Sequence, residues 1–298
     1  PRARNNLQQM DFRTPVDIPR PPFSIAPCER MLFVGSCFAG EMGKRFADER
    51  FPVVVNPQGV MYNPASILHT VQRLEGRPFD TAVLTLGTNH VYVEKATGAI
   101  VDNCMKRPQR LFDEQQLSVE ACAALLCSAI DLLRRANPAV KIILTVSPIR
   151  YRKYGFHGSR LSKATLLLAA EQVISQEQKA AASADEVGNA AAAASPAYYF
   201  PAYELMDDEL RDYRFYKPDM LHPSDQAADY IFQRFVETCF SPEAKQYLEA
   251  YRPVKEALGH RPVHPESPEY RDFIAQARAR LAALANQYPG MTRSETEL

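Results

Sequence analysis

The chain has no excess charge of either sign: among its 298 residues Lys and Arg total 35, and so do Asp and Glu. With neither a basic domain nor a Lys/Arg-rich run, nucleic acid and anionic membrane surfaces are poor partners. No apolar stretch nears the roughly 20 residues that span a bilayer. The first residues lack the charged, apolar, small-residue order of a signal peptide. They also lack an initiator Met, and Met10 is a candidate natural start. The six cysteines (Cys28, Cys37, Cys104, Cys122, Cys127 and Cys239) include no C-x-x-C pair and no zinc-finger spacing with His. The expectation is a reduced, cytoplasmic, soluble protein with no disulfide framework, metal or organic cofactor. Oligomeric state is not legible from the sequence.

What is present is an ordinary globular balance, 46% hydrophobic and 23% charged residues. Five short apolar runs read as strands: 31–34, 52–55, 82–86, 140–146 and 198–203. They are continuous rather than alternating, as strands buried on both faces must be. A helical pattern follows each, at about 38–50, 63–75, 118–136, 160–180 and 225–240. In the last, Ala227, Ile231, Phe235 and Cys239 recur at helical spacing behind Ser224, a cap residue. Five strand–helix units predict a flavodoxin-like three-layer α/β/α sandwich with a five-stranded parallel sheet in the order 2-1-3-4-5. Its functional crevice would lie outside the carboxyl ends of the strands.

Three segments stand apart. Residues 88–117 read as a β-hairpin insertion turning near Thr97-Gly98. Residues 177–197 are Ala-rich and poor in large apolar groups, a helix tail running into a mobile insertion. Residues 241–298 form a helical extension ending in an amphipathic helix (Phe273, Ile274, Ala277, Leu281, Leu284) that packs on the main domain.

The chemistry-bearing residues fall at the strand ends. After the first strand comes Gly35-Ser36-Cys37 and then a helix. A nucleophile on such a turn is held out into the crevice, where the helix N-terminus favours negative charge. A tight turn with a Ser cap and a buried Cys is the other reading. Gly59 follows the second strand and offers a backbone N–H; Asn63-Pro64 reads as a helix start. After the third, Asn89 carries an amide suited to an oxyanion, with His90 beside it. After the fourth, Arg150 and His157 are candidates to bind an anionic or hydroxyl-rich substrate. After the fifth, Asp219 and His222 stand three apart on a Pro-bracketed loop. A carboxylate there can accept the Nδ1–H and support an imidazolium. Nucleophile, oxyanion donors and an Asp–His pair on one rim are the parts of acyl transfer.

The stretches "GSCFAGEMG", "NPQGVMYNPASI", "LTLGTNHVY", "SPIRY…SKATLLLA" and "YFPAYELMDDELRDYRFYKPDMLHPS" resemble the GSCFA-domain family, from about residue 11 to about 250. That family resembles a branch of the SGNH (GDSL) hydrolase superfamily, whose blocks are Gly-Asp-Ser, a Gly, Gly-x-Asn-Asp and Asp-x-x-His. The resemblance implies a catalytic domain over 11–240, an oxyanion hole from Gly59 and Asn89, and Asp219 with His222 as the last block. It also implies an esterase or acyl-transfer activity, often on carbohydrates. The sequence departs from the blocks twice. His90 stands where an Asp is usual, and Ser36-Cys37 replaces Asp-Ser. Cys37 at the Ser position is the preferred nucleophile and Ser36 the other candidate. The departures also leave room for a non-catalytic glycan- or partner-binding module on the same fold.

Overall fold

The computed structural model describes residues 13–102, 104, 107–186 and 194–291. Its central sheet joins β1 (Met31–Gly35), β2 (Val53–Val55), β3 (Thr81–Leu86), β7 (Lys141–Val146) and β8 (Tyr198–Tyr199). All neighbours are parallel, in the order β2-β1-β3-β7-β8. In chain order that is the expected 2-1-3-4-5.

The continuous apolar runs are explained by register. Phe33, Val83 and Ile143 stand in line across β1, β3 and β7 and face one core. Their neighbours Leu32, Val34, Leu84 and Leu144 face the other. Both faces are therefore dry, and the strand positions are filled by apolar groups with a few buried threonines. The first core is closed by α1 (Cys37–Asp48) through Phe38, Met42 and Phe46, and by α6 (Asp225–Cys239) through Ile231 and Phe235. The second is closed by α2 (Pro64–Gln72), α3 (Val119–Ala136) and α4 (Gly155–Glu186), which supply Ile67, Leu126, Ile130, Leu166 and Val173. The result is three layers.

Asn63, Ser118 and Ser224 cap α2, α3 and α6 by accepting from Ser66, Ala121 and Ala227 N–H groups at 2.9, 3.2 and 3.2 Å. Such caps are worth about 1 kcal/mol each and set where each helix begins.

The fifth strand is shorter than its apolar run. It ends at Tyr199, because Pro201 has no N–H for a ladder and residues Ala202–Glu204 (α5) turn into a helix, followed by a π-turn over Leu205–Leu210. The insertion after β3 is larger than a hairpin. β4 (His90–Glu94) and β5 (Ile100–Val101) do turn at Thr97-Gly98, where Gly98 adopts φ +70° and its N–H donates to Glu94 O at 2.8 Å. A third strand, β6 (Phe112–Gln116), pairs with β4 on its other side. Its sequence FDEQQ hides it: β6 is an edge strand, and four of its five residues are exposed.

Helix α4 starts five residues before the predicted position and holds through the Ala-rich stretch to Glu186. Of the rest of the expected mobile insertion, 187–193 lie outside the described residues, and Ala197 is buried in the second core. The C-terminal extension forms α7 (Pro242–Gly259) and α8 (Pro268–Gln287). It docks on the first core through fully buried Tyr247, whose hydroxyl donates to Glu49 O at 2.8 Å, and through Leu281. Phe273, assigned to the apolar stripe of that last helix, is 44% exposed, while Ala277 and Leu281 carry the contact. Among the described residues no helix is long and apolar enough to cross a membrane.

Candidate active site

The turn after β1 is shaped by a close approach of two strands. Gly35 has φ +139°, and a Cβ placed on it would lie 2.1 Å from the Thr85 carbonyl oxygen. Only glycine fits there. Gly35→Ala should therefore cost about 3 kcal/mol or more, read as a lower denaturation midpoint. An unchanged midpoint would mean that β1 and β3 can separate at no cost.

The next residue, Ser36, is completely buried. Its N–H donates to Thr85 O at 3.1 Å and Oγ1 at 3.0 Å. Its hydroxyl accepts from Phe38 N–H at 3.2 Å, capping α1, and sits 3.2 Å from Thr85 Oγ1. Ser36 thus does not line the crevice, and its oxygen is occupied by the cap. Cys37, the first residue of α1, turns the other way into a cavity of about 500 Å³ at the carboxyl ends of the strands. Its N–H belongs to the first turn of the helix, where the backbone ladder has no acceptor for it. The Tyr62 hydroxyl lies 3.8 Å from Cys37 Sγ.

His222 lines the same cavity. Its Nδ1 is 2.6 Å from Asp219 Oδ2, and the other carboxylate oxygen accepts the N–H groups of Leu221 at 2.8 Å and His222 at 3.0 Å. The backbone bond from His222, that from Leu221 and the imidazole contact together hold the Asp219 carboxyl down at about 2. A carboxylate at Nδ1 fixes the tautomer and leaves Nε2 as the ring nitrogen open to accept a proton. The loop is pinned from β7's side as well. Arg150 donates through its backbone N–H to Leu221 O at 3.1 Å and through Nη1 to Met220 O at 3.0 Å. Met220 is held at φ +60°, and the guanidinium lies over Phe156 at 4.1 Å. Arg150 faces the cavity, yet part of its donor set is spent on the loop that carries His222.

Three further candidates do not line the cavity. The Asn89 side chain is buried, and one of its two amide N–H groups donates to Leu117 O at 2.8 Å, tying β3 to the start of α3. The Gly59 N–H closes its own turn by donating to Asn56 O at 2.8 Å, so it is taken. His157 is exposed on the first turn of α4 and does not line the cavity. His90 does line it, stacked on Tyr154 at 3.6 Å with Nδ1 3.4 Å from Glu114 Oε1. Burial pulls its pKa down, and Glu114 opposes the shift.

Several site residues escaped sequence reasoning although they lie within or beside the quoted motifs. Tyr62 and Tyr151 form part of the wall, ring edge to ring face at 5.8 Å. Lys163, 2% exposed, donates to Gly87 O and Ser147 O at 2.7 Å each, clamping the ends of β3 and β7. Burial lowers its pKa to about 7. Asp102, at the cavity edge, is tied to His69 and Arg73 at 2.7 Å. Only the motif blocks could have flagged these residues, since none has a telling neighbour in sequence. Among the described residues no cluster of three His, Cys, Asp or Glu side chains could hold a metal ion.

Comparison with known proteins gives a family and several distant structures. No curated protein matches the sequence. A crystal structure of an acetyl esterase mutant with acetate ion aligns with 74% of this chain and 98% of its own, at 13% identity and a TM-score of 0.38. A carbohydrate esterase family 3 protein from Talaromyces cellulolyticus aligns over the same shares at 12% identity and a TM-score of 0.38. The GSCFA family profile matches residues 30–82 and 77–235, and that for the C-terminal domain of GSCFA domain proteins matches 252–297. With most of its length covered in this way, the chain belongs to the GSCFA family.

Proposed function

We propose that this protein hydrolyses or transfers acyl groups from small-molecule or glycan esters, with Cys37 as nucleophile, His222 as general base and Asp219 as its orienting carboxylate. The observation that carries this reading is the shared cavity: Cys37, on a helix N-terminus, and the Asp219-held His222 open into the same space, while Ser36 is buried. A thiol at a helix N-terminus with a general base in the same cavity is a competent acyl acceptor.

His222 Nε2 takes the proton of Cys37 Sγ–H, and the sulfur attacks the acyl carbon. The carbonyl electron pair moves to oxygen, beside the Cys37 N–H. When the C–O bond to the alcohol breaks, His222 returns the proton to the leaving oxygen and a thioester remains. Water, deprotonated by His222, or an acceptor hydroxyl then releases the acyl group and restores the thiol. The resemblance to SGNH hydrolases supports this class of reaction. A cavity of about 500 Å³ walled by Val60, Ile149 and Leu221 suits a small acyl group, with His90 and Arg150 available to polar parts of the substrate.

Both donors expected from the superfamily are otherwise engaged, and that observation favours a second reading, a binding module without turnover. Short-chain nitrophenyl esters and acetylated sugars separate the two. Steady turnover is the expected result; saturable binding with no product would favour the module.

A further inference from the structure

We propose that the Tyr62 hydroxyl is the side-chain oxyanion donor of this site, in place of Asn89; the proposal rests on Cys37 acting as the nucleophile. A donor acts on an oxyanion from about 2.7–3.1 Å. The oxyanion forms on the carbon bonded to Sγ, a bond beyond the sulfur. A hydroxyl 3.8 Å from Sγ, on the same cavity wall, is within reach of that oxygen. The two groups that would otherwise serve do not line the cavity: Asn89 is buried with one amide N–H on Leu117 O, and the Gly59 N–H donates to Asn56 O.

Tyr62 is also held in advance. Its carbonyl accepts from Gly87 N–H at 2.9 Å and Thr88 N–H at 2.7 Å, which fixes it to the end of β3. On one side Met61 N–H donates to Gly35 O at 2.8 Å, and on the other Asn63 caps α2. The ring is braced edge-on by Tyr151, at 89° between planes. Tyr151 occupies space that exists because residue 87 is glycine: a Cβ there would lie 2.3 Å from the Tyr151 hydroxyl. Preorganisation of this kind spares the reorganisation that a water molecule would need. Burial, followed by the neighbouring Cys37, pushes the Tyr62 phenol up to about 12, so it stays a donor at neutral pH.

The hydroxyl follows the charge. Before attack it faces the sulfur; as the S–C bond forms, charge leaves sulfur for the carbonyl oxygen, and the same O–H donates there. No proton is transferred by Tyr62.

Two reactions of the same thiol test this. Hydrolysis of nitrophenyl acetate builds an oxyanion; alkylation of Cys37 by iodoacetamide displaces iodide and builds none. In Tyr62→Phe, kcat for the ester should fall roughly 100- to 1000-fold, while the alkylation rate should fall far less, since alkylation loses only the resting contact with sulfur. The variant keeps the ring, and Tyr62 is 40% exposed, so folding is not at stake. If both reactions slow together with a shifted pH profile, Tyr62 serves the thiolate alone and the proposal fails. Unchanged ester turnover also overturns it. Turnover that survives Cys37→Ala, or an inactive wild type, overturns the nucleophile reading along with this one.

Discussion

Cys37→Ala should lose ester turnover by a factor on the order of 10⁶, the scale seen when a nucleophile is removed from a triad, while Ser36→Ala should keep most of it. The two residues are adjacent, yet their surroundings differ in kind. Ser36 has its hydroxyl committed to the cap of α1 and to Thr85. Removing that oxygen should cost about 1 kcal/mol of stability and little chemistry. Cys37 faces the cavity. Iodoacetamide provides an independent check. Burial pushes up the thiols of Cys28, Cys104, Cys122, Cys127 and Cys239, that of Cys122 to about 12. Cys37 should therefore be modified first, and more slowly in His222→Ala. An active Cys37→Ala would return the chemistry to another group.

Asp219→Asn should lower kcat by roughly 10² to 10⁴-fold, the upper figure being that for a buried triad carboxylate. The Asp219 side chain is 44% exposed, so solvent shares the work of supporting the imidazolium and the lower part of the range is expected. The amide can still accept the Leu221 and His222 N–H groups, which keeps the loop folded and confines the loss to catalysis. Because the Asp219 pKa is depressed, its charge is complete above about pH 4 and is lost only as pH falls through about 2. A fall in activity nearer neutrality must come from another group, so the acid limb of the wild-type pH–rate profile should not reflect Asp219. Equal turnover in wild type and Asp219→Asn would remove the carboxylate from the mechanism.

The layered sheet was legible because its cause is local. Each central strand needs apolar groups on both faces, α1, α2, α3 and α6 each begin at a Ser or Asn that caps them, and right-handed crossovers leave few strand orders. The Asp–His spacing was legible for the same reason, since both residues belong to one short loop. Polar edge strand β6 was not, because an edge strand leaves no apolar signature. Nor was the early end of β8, which waited on Pro201.

Sequence alone determined the βα alternation, the strand order, the turn at Gly35 and the rim on which Cys37, His222 and Asp219 meet. Tertiary structure alone decided which of two adjacent residues faces the cavity, and which amides were still free to donate. Ser36 points into the sheet because Thr85 of β3 passes beside it; Asn89 is buried off the cavity wall and tied to Leu117, 28 residues away. Hydrogen bonds between segments distant in sequence leave no periodicity to read. A residue's chemical capacity is written in the chain, but whether its polar atoms remain unspent depends on what packs against them.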